Sequence, residues 1–411
     1  MASALRAWPG CAAAAEPTPV RRSVLMAAHR AYAEPGNGAA LSMATLLRWL
    51  AGAGFDAAAI TSGLIEQAPD LTIVQHHDRL GLRRQAGAAR AVVTGHDGPV
   101  ALIAVETDRH PDPVGDAQYG ALAAEMVTAR RPTHILTYGA DPCLGPALAA
   151  ARALGAQVVT VVHAAGYTNR AYFQQTDRVV THSGFMARFL AGQIGLHSTT
   201  MPPAMNWPAI VAPDPDPVFL TFINPAAHKG VVPFAALAQR LARERPDIPI
   251  LVVASGGRVA ALAALPALAD HPALLVCPPR DPREIYGITK LLLVPTPGAE
   301  PFGRVAAEAM MNGIPPLVSD RGGLPEAVGA GGIVLPLPEW LTHAADRLPT
   351  DAEMSPWFDS IVRLWDDDAA YATASAAAHQ AAAALYDETR QRQRAVDYFM
   401  DPGPFPPLFA P

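Results

Sequence analysis

Two glutamates with seven residues between them flank the start of a predicted helix, which the sequence places from about Arg304 to Asn312. The first turn of a helix carries backbone N–H groups without helical partners and the positive end of the helix dipole, so it stabilises a phosphate or diphosphate. Glu308 lies about one turn inside this helix, where its carboxylate can accept hydrogen bonds from a ribose diol. Glu300, on the preceding loop, can reach the hydroxyls of a second sugar. The segment therefore suits a ligand such as a nucleotide sugar.

Composition and charge exclude other classes of function. The chain has 411 residues and a formal net charge of -6, which argues against nucleic acid as the main partner because phosphate backbones require a concentrated basic surface. No uninterrupted apolar run approaches the roughly 18 to 20 residues that cross a bilayer, so no integral membrane contact is expected. Peripheral association through a local basic patch stays open. The three cysteines, Cys11, Cys143 and Cys277, lie far apart without metal spacing, which predicts a reducing, cytoplasmic location.

The length predicts two domains, and two runs of alternating strands and helices supply them. After a leader at residues 1–20 that is predicted to be disordered, residues 21–203 form the first domain. Its expected strands are Ser23–Ala28, Leu71–Gln75, Val100–Thr107, His134–Tyr138, Gln157–His163 and Arg178–Ser183. Its expected helices are Ala40–Ala53, Asp116–Arg130, Cys143–Leu154 and Gly184–Ile194. Such an alternation predicts a parallel sheet.

Proline-rich segments near residues 201–208 and 212–217 lead into a second domain at residues 204–354. Its expected strands are Val218–Ile223, Ile250–Ala254, Ala273–Cys277, Leu291–Val294, Pro316–Val318 and Gly332–Val334. Its expected helices are Val232–Glu244, Val259–Leu265, Pro282–Thr289, Arg304–Asn312 and Leu324–Val328. Residues 355–400 should add two helices, Ser355–Asp366 and Asp368–Arg390, that pack back across the domains before a proline-rich tail at 401–411. The prediction is an α/β protein with two doubly wound, Rossmann-like domains facing each other across a cleft.

This organisation resembles the retaining GT-B glycosyltransferases with an E-x7-E motif, the glycosyl transferases group 1. The resemblance is strongest where Glu300-Pro-Phe-Gly-Arg-Val-Ala-Ala-Glu-Ala-Met, Asn312-Gly-Ile-Pro and Ser319-Asp-Arg-Gly-Gly-Leu-Pro-Glu326 stand in the order and spacing of that family. It implies that Glu308 binds the donor ribose and Glu300 the hydroxyls of the transferred sugar. It also implies that the donor is bound by Pro301, Phe302, Gly303, Arg304 and Val305.

The same resemblance gives roles to residues further upstream. Lys229, in the loop after an expected strand, would neutralise the leaving diphosphate. Main-chain atoms from Cys277 to Arg280 would contact the nucleotide base. In the first domain, Gly36 and Gly38 belong to a glycine-rich loop that would approach the ligand closely. His163, at the end of the strand Val158-Val-Thr-Val-Val-His163, would face the donor sugar.

One position departs from the family pattern. The residue five positions before Lys229 is usually arginine, and here it is Asn224. Losing a charge-assisted contact to the leaving group would cost about a few kcal/mol of transition-state stabilisation. Arg304, Arg258 or Arg280 could compensate, or the donor could bind in a different geometry. The residues alone leave these alternatives open.

Several polar clusters allow a second interpretation. His76-His77-Asp78 and the segment Asp108-Arg-His-Pro-Asp112 contain metal-binding residue types, but their spacing fits no closed site, and polar loop residues are favoured. The turn Ser255-Gly-Gly-Arg258 could bind phosphate or be an ordinary turn. The run Asp366-Asp-Asp368 is interpreted as a helix cap in preference to a metal site. No metal and no cofactor other than the donor substrate are expected.

The predicted function is transfer of a sugar from a nucleotide diphosphate to an acceptor, with retention and without a metal. The acceptor is not identified by the sequence and could be a small metabolite, a peptide or a glycan. A sugar-nucleotide epimerase or a phosphorolytic enzyme on the same fold is one alternative. A catalytically silent nucleotide-sugar-binding or scaffold protein is another, and Asn224 lends it support.

Overall fold

The computed structural model describes residues 22–68, 71–84, 92–106, 112–139, 141–254, 273–400 and 405–409. The chain divides into two compact units. Unit 1 consists of Met1–His182, Ala187–Ala204 and Gln391–Pro411. Unit 2 consists of Ser183–Met186 and Met205–Arg390. Each unit has its own mainly parallel sheet and its own buried core, which confirms the predicted α/β class with two Rossmann-like units.

Unit 1 contains a sheet of nine strands within its described residues. In chain order they are β1 (Ser23–Ala28), β2 (Asp56–Ser62), β3 (Arg83–Arg84), β4 (Val92–Asp97), β5 (Val100–Val105), β6 (His134–Thr137), β7 (Gln157–Val162), β8 (Arg178–Thr181) and β9 (Thr199–Thr200). Across the sheet the order is β3-β4-β5-β2-β1-β6-β7-β8-β9. The strands from β5 to β9 pair in parallel, whereas β4 is antiparallel to both of its neighbours.

The helices of unit 1 cover both faces of this sheet. They are α1 (Gly38–Gly52), α2 (Ile73–Arg79), α3 (Pro113–Arg130), α4 (Gly145–Ala153) and α5 (Gly184–Ile194), the last of which begins in unit 2. Along β1, Val24 and Met26 enter one apolar cluster while Leu25 and Ala27 enter another. Because successive strand residues point to opposite faces, β1 is buried on both sides, as expected for a parallel sheet between two helical layers.

Unit 2 contains a second sheet, which is parallel throughout its described pairs. Its strands are β10 (Phe219–Ile223), β11 (Ile250–Val253), β12 (Leu274–Cys277), β13 (Thr289–Val294), β14 (Pro316–Ser319) and β15 (Ile333–Leu335), in the spatial order β12-β11-β10-β13-β14-β15. The helices that follow α5 are α6 (Val231–Glu244), α7 (Pro282–Gly287), α8 (Arg304–Met311), α9 (Leu324–Val328), α10 (Ser355–Asp366), α11 (Asp368–Leu385) and α12 (Glu388–Met400).

One strand prediction for unit 1 is wrong, and the strand β2 was missed. The segment Leu71–Gln75 is not a strand, because Thr72 caps helix α2: its hydroxyl accepts from the Gln75 N–H, and the Gln75 side chain accepts from the Thr72 N–H at 2.9 Å. A Thr-x-x-Gln capping box is a sequence signal for a helix start. The strands paired with β1 are β6 and β2, and the alanine-rich sequence of β2 gives little strand signal.

The C-terminal helices also differ from the prediction. A continuous helix over Asp368–Arg390 is wrong, because α11 ends at Leu385 and α12 begins at Glu388. From Gln391 onward the chain belongs to unit 1, where Tyr398 and Phe399 are buried in the core. The predicted helix Val259–Leu265, the leader and most of the tail lie outside the described residues. Among the residues that are described, no helix is both long enough and apolar enough to span a bilayer.

Candidate functional site

The start of α8 in unit 2 is formed by a glycine in the left-handed backbone region. Gly303 has φ 98°, and a Cβ atom there would overlap the side chain of Leu324. A side chain at this position is therefore strained, and Leu324 would have to shift to admit it. Because Gly303 has no side chain, it cannot cap the first turn as Ser or Asp would. The first turn of α8 therefore has no side-chain cap, and a helix start of this kind suits an anionic ligand.

Glu308 lies on α8 and is held by two side chains. One carboxylate oxygen accepts from Nε of Arg304 one turn earlier, and the other accepts from the Tyr286 hydroxyl on α7 at 2.8 Å. Burial, and then the adjacent Glu308, raise the pKa of Tyr286 well above its ordinary value, so the phenol stays a donor. The Glu308 side chain is 10% exposed. These two side-chain hydrogen bonds fix the direction of the carboxylate.

Glu300, on the loop before α8, forms an ion pair with Lys229. The Lys229 Nζ and Glu300 Oε2 atoms are 2.6 Å apart, and their side chains are 30% and 11% exposed. Lys229 ends a short 3-10 turn, Ala227–Lys229, and the chain continues through Gly230 at φ 94°. A Cβ at Gly230 would overlap the Pro295 carbonyl, so the lysine loop can approach the end of β13 only with glycine here. Lys229 is also one of only two lysines in the chain.

Two glycines after β14 support the Glu300 loop. The Gly323 N–H donates to the Glu300 carbonyl at 2.7 Å, and a Cβ at Gly322 would overlap the Glu300 backbone. Gly322 also has φ 64°, which favours glycine. The pair therefore lets two loops pass in backbone contact. In the sequence the two glycines stand out only as part of the motif that ends at Glu326.

Asn224 follows β10 and has φ 64°. Its N–H donates to the Val253 carbonyl at 2.9 Å, and its carbonyl accepts from the Ala226 N–H at 2.7 Å. Asparagine tolerates this left-handed conformation better than arginine does. The backbone here therefore gives a physical reason for the departure from the family pattern.

The three arginines considered as substitutes for the missing cation have different surroundings. Arg304 is paired with Glu308 on α8. Arg280 is exposed and lies 3.5 Å from Glu284. Arg258 lies outside the described residues. Of the two that are described, only Arg304 contacts another candidate site residue.

The remaining residues predicted to bind the donor lie in two places, around the start of α8 and at a cavity beside α7. Phe302 is buried and packs edge-on against Tyr386, with ring centroids 5.9 Å apart, while Pro301 and Val305 are half-buried. Cys277 and Arg280 line an open cavity of about 510 Å³, together with Asp214, Asp216, Leu251, Arg283, Glu284, Ile285, Gly287 and Ile288. Burial raises the pKa of the Cys277 thiol. Helix α7 thus has a residue at each place: Ile285 lines the cavity, and the next residue, Tyr286, donates a hydrogen bond to Glu308.

The predicted residues of unit 1 form two separate features. Gly36 has φ 77° and Gly38 begins α1, but the loop is organised by Glu34, which is 0% exposed. Glu34 accepts from the backbone N–H groups of Glu66, Gln67 and Ala68 and from the Asn37 amide at 2.8 Å. His163 follows β7, and its Nδ1 lies 3.0 Å from Nε2 of His182. Neither Glu34 nor His182 was identified as important from the sequence.

The alternative metal sites are not assembled among the described residues. His76 and His77 are buried on α2, and Nε2 of His76 lies 2.7 Å from the Tyr32 carbonyl. Asp112 caps α3 by accepting from the Gly115 N–H, and Asp367 caps α11, as predicted for its run. No group of three or more His, Cys, Asp or Glu residues suited to a metal ion occurs within the described ranges. Residues 107–111 and the Ser255–Arg258 turn lie outside them.

The motif region also matches a known family model. Residues 206–349, which form most of unit 2, match the model of the Glycosyl transferases group 1 family. No curated protein sequence matches the chain.

Solved structures resemble the chain over most of its length. HepE of Anabaena in complex with UDP and glucose has 13% identity and a TM-score of 0.65, with 91% of this chain and 98% of that chain covered. The pneumococcal O-GlcNAc transferase GtfA, in complex with UDP and GlcNAc, has 13% identity and a TM-score of 0.64, with 92% and 99% covered. Sucrose-phosphate synthase from Thermosynechococcus elongatus has 16% identity and a TM-score of 0.64, with 91% and 97% covered. At these identities the similarity concerns the fold, which is of the GT-B type.

Proposed function

We propose that this protein transfers a sugar from a nucleotide diphosphate to an acceptor, with retention at the anomeric carbon and without a metal ion. The observation that carries the proposal is the arrangement around α8. A glycine-initiated helix start lies between two carboxylates, one paired with Lys229 and the other held by Arg304 and Tyr286. The match of residues 206–349 to the Glycosyl transferases group 1 model supports the same activity.

The proposed chemistry relies on electrostatics and positioning. Lys229 is bonded to Glu300, three residues before Gly303, so its ammonium group lies beside the loop that leads into α8. The lysine and the helix start would stabilise the negative charge that develops on the leaving diphosphate. Glu300 would hold the hydroxyls of the transferred sugar, and Glu308 those of the ribose. The acceptor would attack from the side of the leaving group, so no protein nucleophile is required.

The donor can be identified by a thermal-shift screen of the whole chain against UDP, GDP, ADP and TDP sugars. A ligand at 100 times its Kd stabilises a protein by roughly 2.7 kcal/mol, so one base and sugar should stand out. We propose that the reaction needs no metal and therefore proceeds in EDTA. We also propose a cytoplasmic location, where the two described cysteines, Cys143 and Cys277, stay free thiols.

Product analysis with NMR of the anomeric centre then tests the reaction. A glycoside with the donor's anomeric configuration is the expected product. Inversion would contradict the proposed mechanism, and an isomerised nucleotide sugar or a sugar phosphate would indicate an epimerase or a phosphorolytic enzyme. Tight binding of a donor that no acceptor or water consumes would indicate a silent binding protein.

A further inference from the structure

Three residues of unit 1 each directly follow one of three neighbouring strands. Strand β7 ends at Val162, β8 at Thr181 and β9 at Thr200. In the parallel register, Thr181 pairs with Val162 on one side and with Thr200 on the other. The next residues are His163, His182 and Met201. One step beyond registered positions, they form a row along the carboxyl edge of the sheet.

Short polar contacts connect the row. Nδ1 of His163 lies 3.0 Å from Nε2 of His182, and Nδ1 of His182 lies 2.9 Å from the Met201 carbonyl oxygen. The Met201 N–H donates to the Thr181 carbonyl at 2.8 Å, so the carbonyl at the end of the row is fixed to β8. The Tyr138 ring packs edge-on against His163, with centroids 5.5 Å apart and planes at 75°.

The carbonyl sets the polarity of the whole row. A carbonyl oxygen only accepts hydrogen bonds, so Nδ1 of His182 must carry the proton that it donates to Met201. In a neutral imidazole the other nitrogen is then an acceptor, which leaves Nε2 of His182 to accept from His163. With both rings neutral, His163 therefore carries its proton on Nδ1, and its Nε2 is the nitrogen with the lone pair.

We propose that His182 is a positioning residue that holds His163 in the Nδ1–H form, so that Nε2 of His163 accepts a hydrogen bond from a ligand hydroxyl. The proposed function enters only in taking that ligand to be a sugar. The tautomer itself depends on unit 1 alone. A site with this polarity selects a hydroxyl group and disfavours a group that can only accept.

The tautomer can be measured without any substrate. In the full chain labelled with 15N-histidine, long-range 1H–15N correlation spectra distinguish the Nδ1–H and Nε2–H forms, and His163→Gln identifies the His163 signals by their loss. We expect the Nδ1–H pattern for His163 in the wild type and in His182→Gln, whose amide oxygen can accept in place of Nε2. We expect the Nε2–H form to become populated in His182→Leu. An Nε2–H pattern in the wild type, or no change in His182→Leu, would overturn the proposal.

A matched control separates this effect from a general loss of structure. His197 also lies in unit 1 and contacts a carbonyl, that of Pro407, at 2.7 Å, but it is outside the row. The change His197→Gln should leave the His163 signals unchanged. A His163 signal that responds equally to His197→Gln would contradict a specific role of His182.

Once a donor is identified, turnover provides a second readout. We expect His182→Leu to lower turnover about tenfold, which corresponds to one net hydrogen bond, and His182→Gln to remain within about twofold of the wild type. If the spectra follow the prediction while turnover is equal in all variants, the link between the row and the reaction is refuted. If no donor is ever consumed, the proposed function fails while the spectra still decide the tautomer.

Discussion

Each unit buries one glutamate beside a glycine-rich turn that precedes a helix, and the two carboxylates are satisfied in different ways. Glu34 in unit 1 accepts from three backbone N–H groups and from the amide of Asn37, the residue that caps α1. Glu308 in unit 2 accepts from two side chains, Arg304 and Tyr286. Backbone donors cannot leave without moving the chain, whereas side chains can rotate away. Burial alone therefore does not identify a binding carboxylate, and the mobility of its partners is the better guide.

The carboxylate of Glu300 resembles that of Glu308, because its partner, Lys229, is also a side chain that can rotate away. Substituting Lys229→Ala should give the largest effect, a fall in kcat of about 10²- to 10³-fold, as for the loss of one group that stabilises developing charge. Donor affinity should change much less. Steady-state kinetics with the identified donor measure both quantities.

The other lysine offers a control for residue type. Lys290 lies in unit 2 with Nζ 4.8 Å from the Trp365 ring, so Lys290→Ala should affect stability more than kcat. A loss of turnover that is equal in Lys229→Ala and Lys290→Ala would show that Lys229 has no special role.

Glu308→Gln tests the exchangeable carboxylate itself. Hydrogen bonds to charged groups contribute about 1.5–3 kcal/mol, so the Kd for the donor should rise about 10- to 100-fold, as measured by calorimetry. The pair of Arg240 and the exposed Glu244 on α6 has the same spacing within a helix and provides the matched variant Glu244→Gln. Equal donor affinity in Glu308→Gln and Glu244→Gln would remove Glu308 from the site.

Glu34→Gln should lower the stability of the protein and leave donor affinity unchanged, the reverse of Glu308→Gln. The amide cannot replace the charge that three N–H groups share, so the free energy of unfolding should fall by about 2 kcal/mol while the donor Kd stays the same. Urea unfolding measures the loss, and amide hydrogen exchange at Glu66, Gln67 and Ala68 localises it. Glu125→Gln, at an exposed position on α3, is the control. A change in donor affinity without a change in stability would break the distinction between the two glutamates.

Asn224→Arg should give the smallest effect. Arginine at φ 64° should lower the free energy of unfolding by about 1 kcal/mol, because it lacks the short polar side chain with which asparagine stabilises the left-handed region. The new cation would raise turnover at most a few-fold if Lys229 and Arg304 already serve the diphosphate. Thermal unfolding measures the change in stability, and kcat measures the change in turnover. Asn224→Gly is the control, because glycine relieves the backbone strain without adding charge. A large gain in turnover would show that the natural chain lacks a cation that the reaction needs.

The sequence predicts elements best where one signal dominates. The bounds of β1, α5 and α9 agree with the structure. Burial defines β1, and the Ser183 hydroxyl, which accepts from the Met186 N–H, marks the start of α5. Helix α2 was missed although the Thr72 and Gln75 capping box is visible, because the apolar residues of the segment were interpreted as a strand.

The candidate site was predictable in part. Glu300 and Glu308 follow from local spacing around one helix start. Tyr286 is 22 positions from Glu308, and the contact exists only because α7 packs beside α8. The row from His163 to Met201 likewise depends on strand register, which a single strand does not encode. The conformation of Asn224 became evident only from the backbone.

The return of the chain to unit 1 after Arg390 affects how the protein is made. The segment that forms unit 2 leaves the ribosome complete up to Arg390, whereas the core of unit 1 still lacks Ala395, Tyr398 and Phe399. The half that begins translation first is therefore the half that finishes folding last, contrary to the usual order of synthesis. We expect stalling or premature release near residue 390 to leave the core of unit 1 open where these three side chains pack.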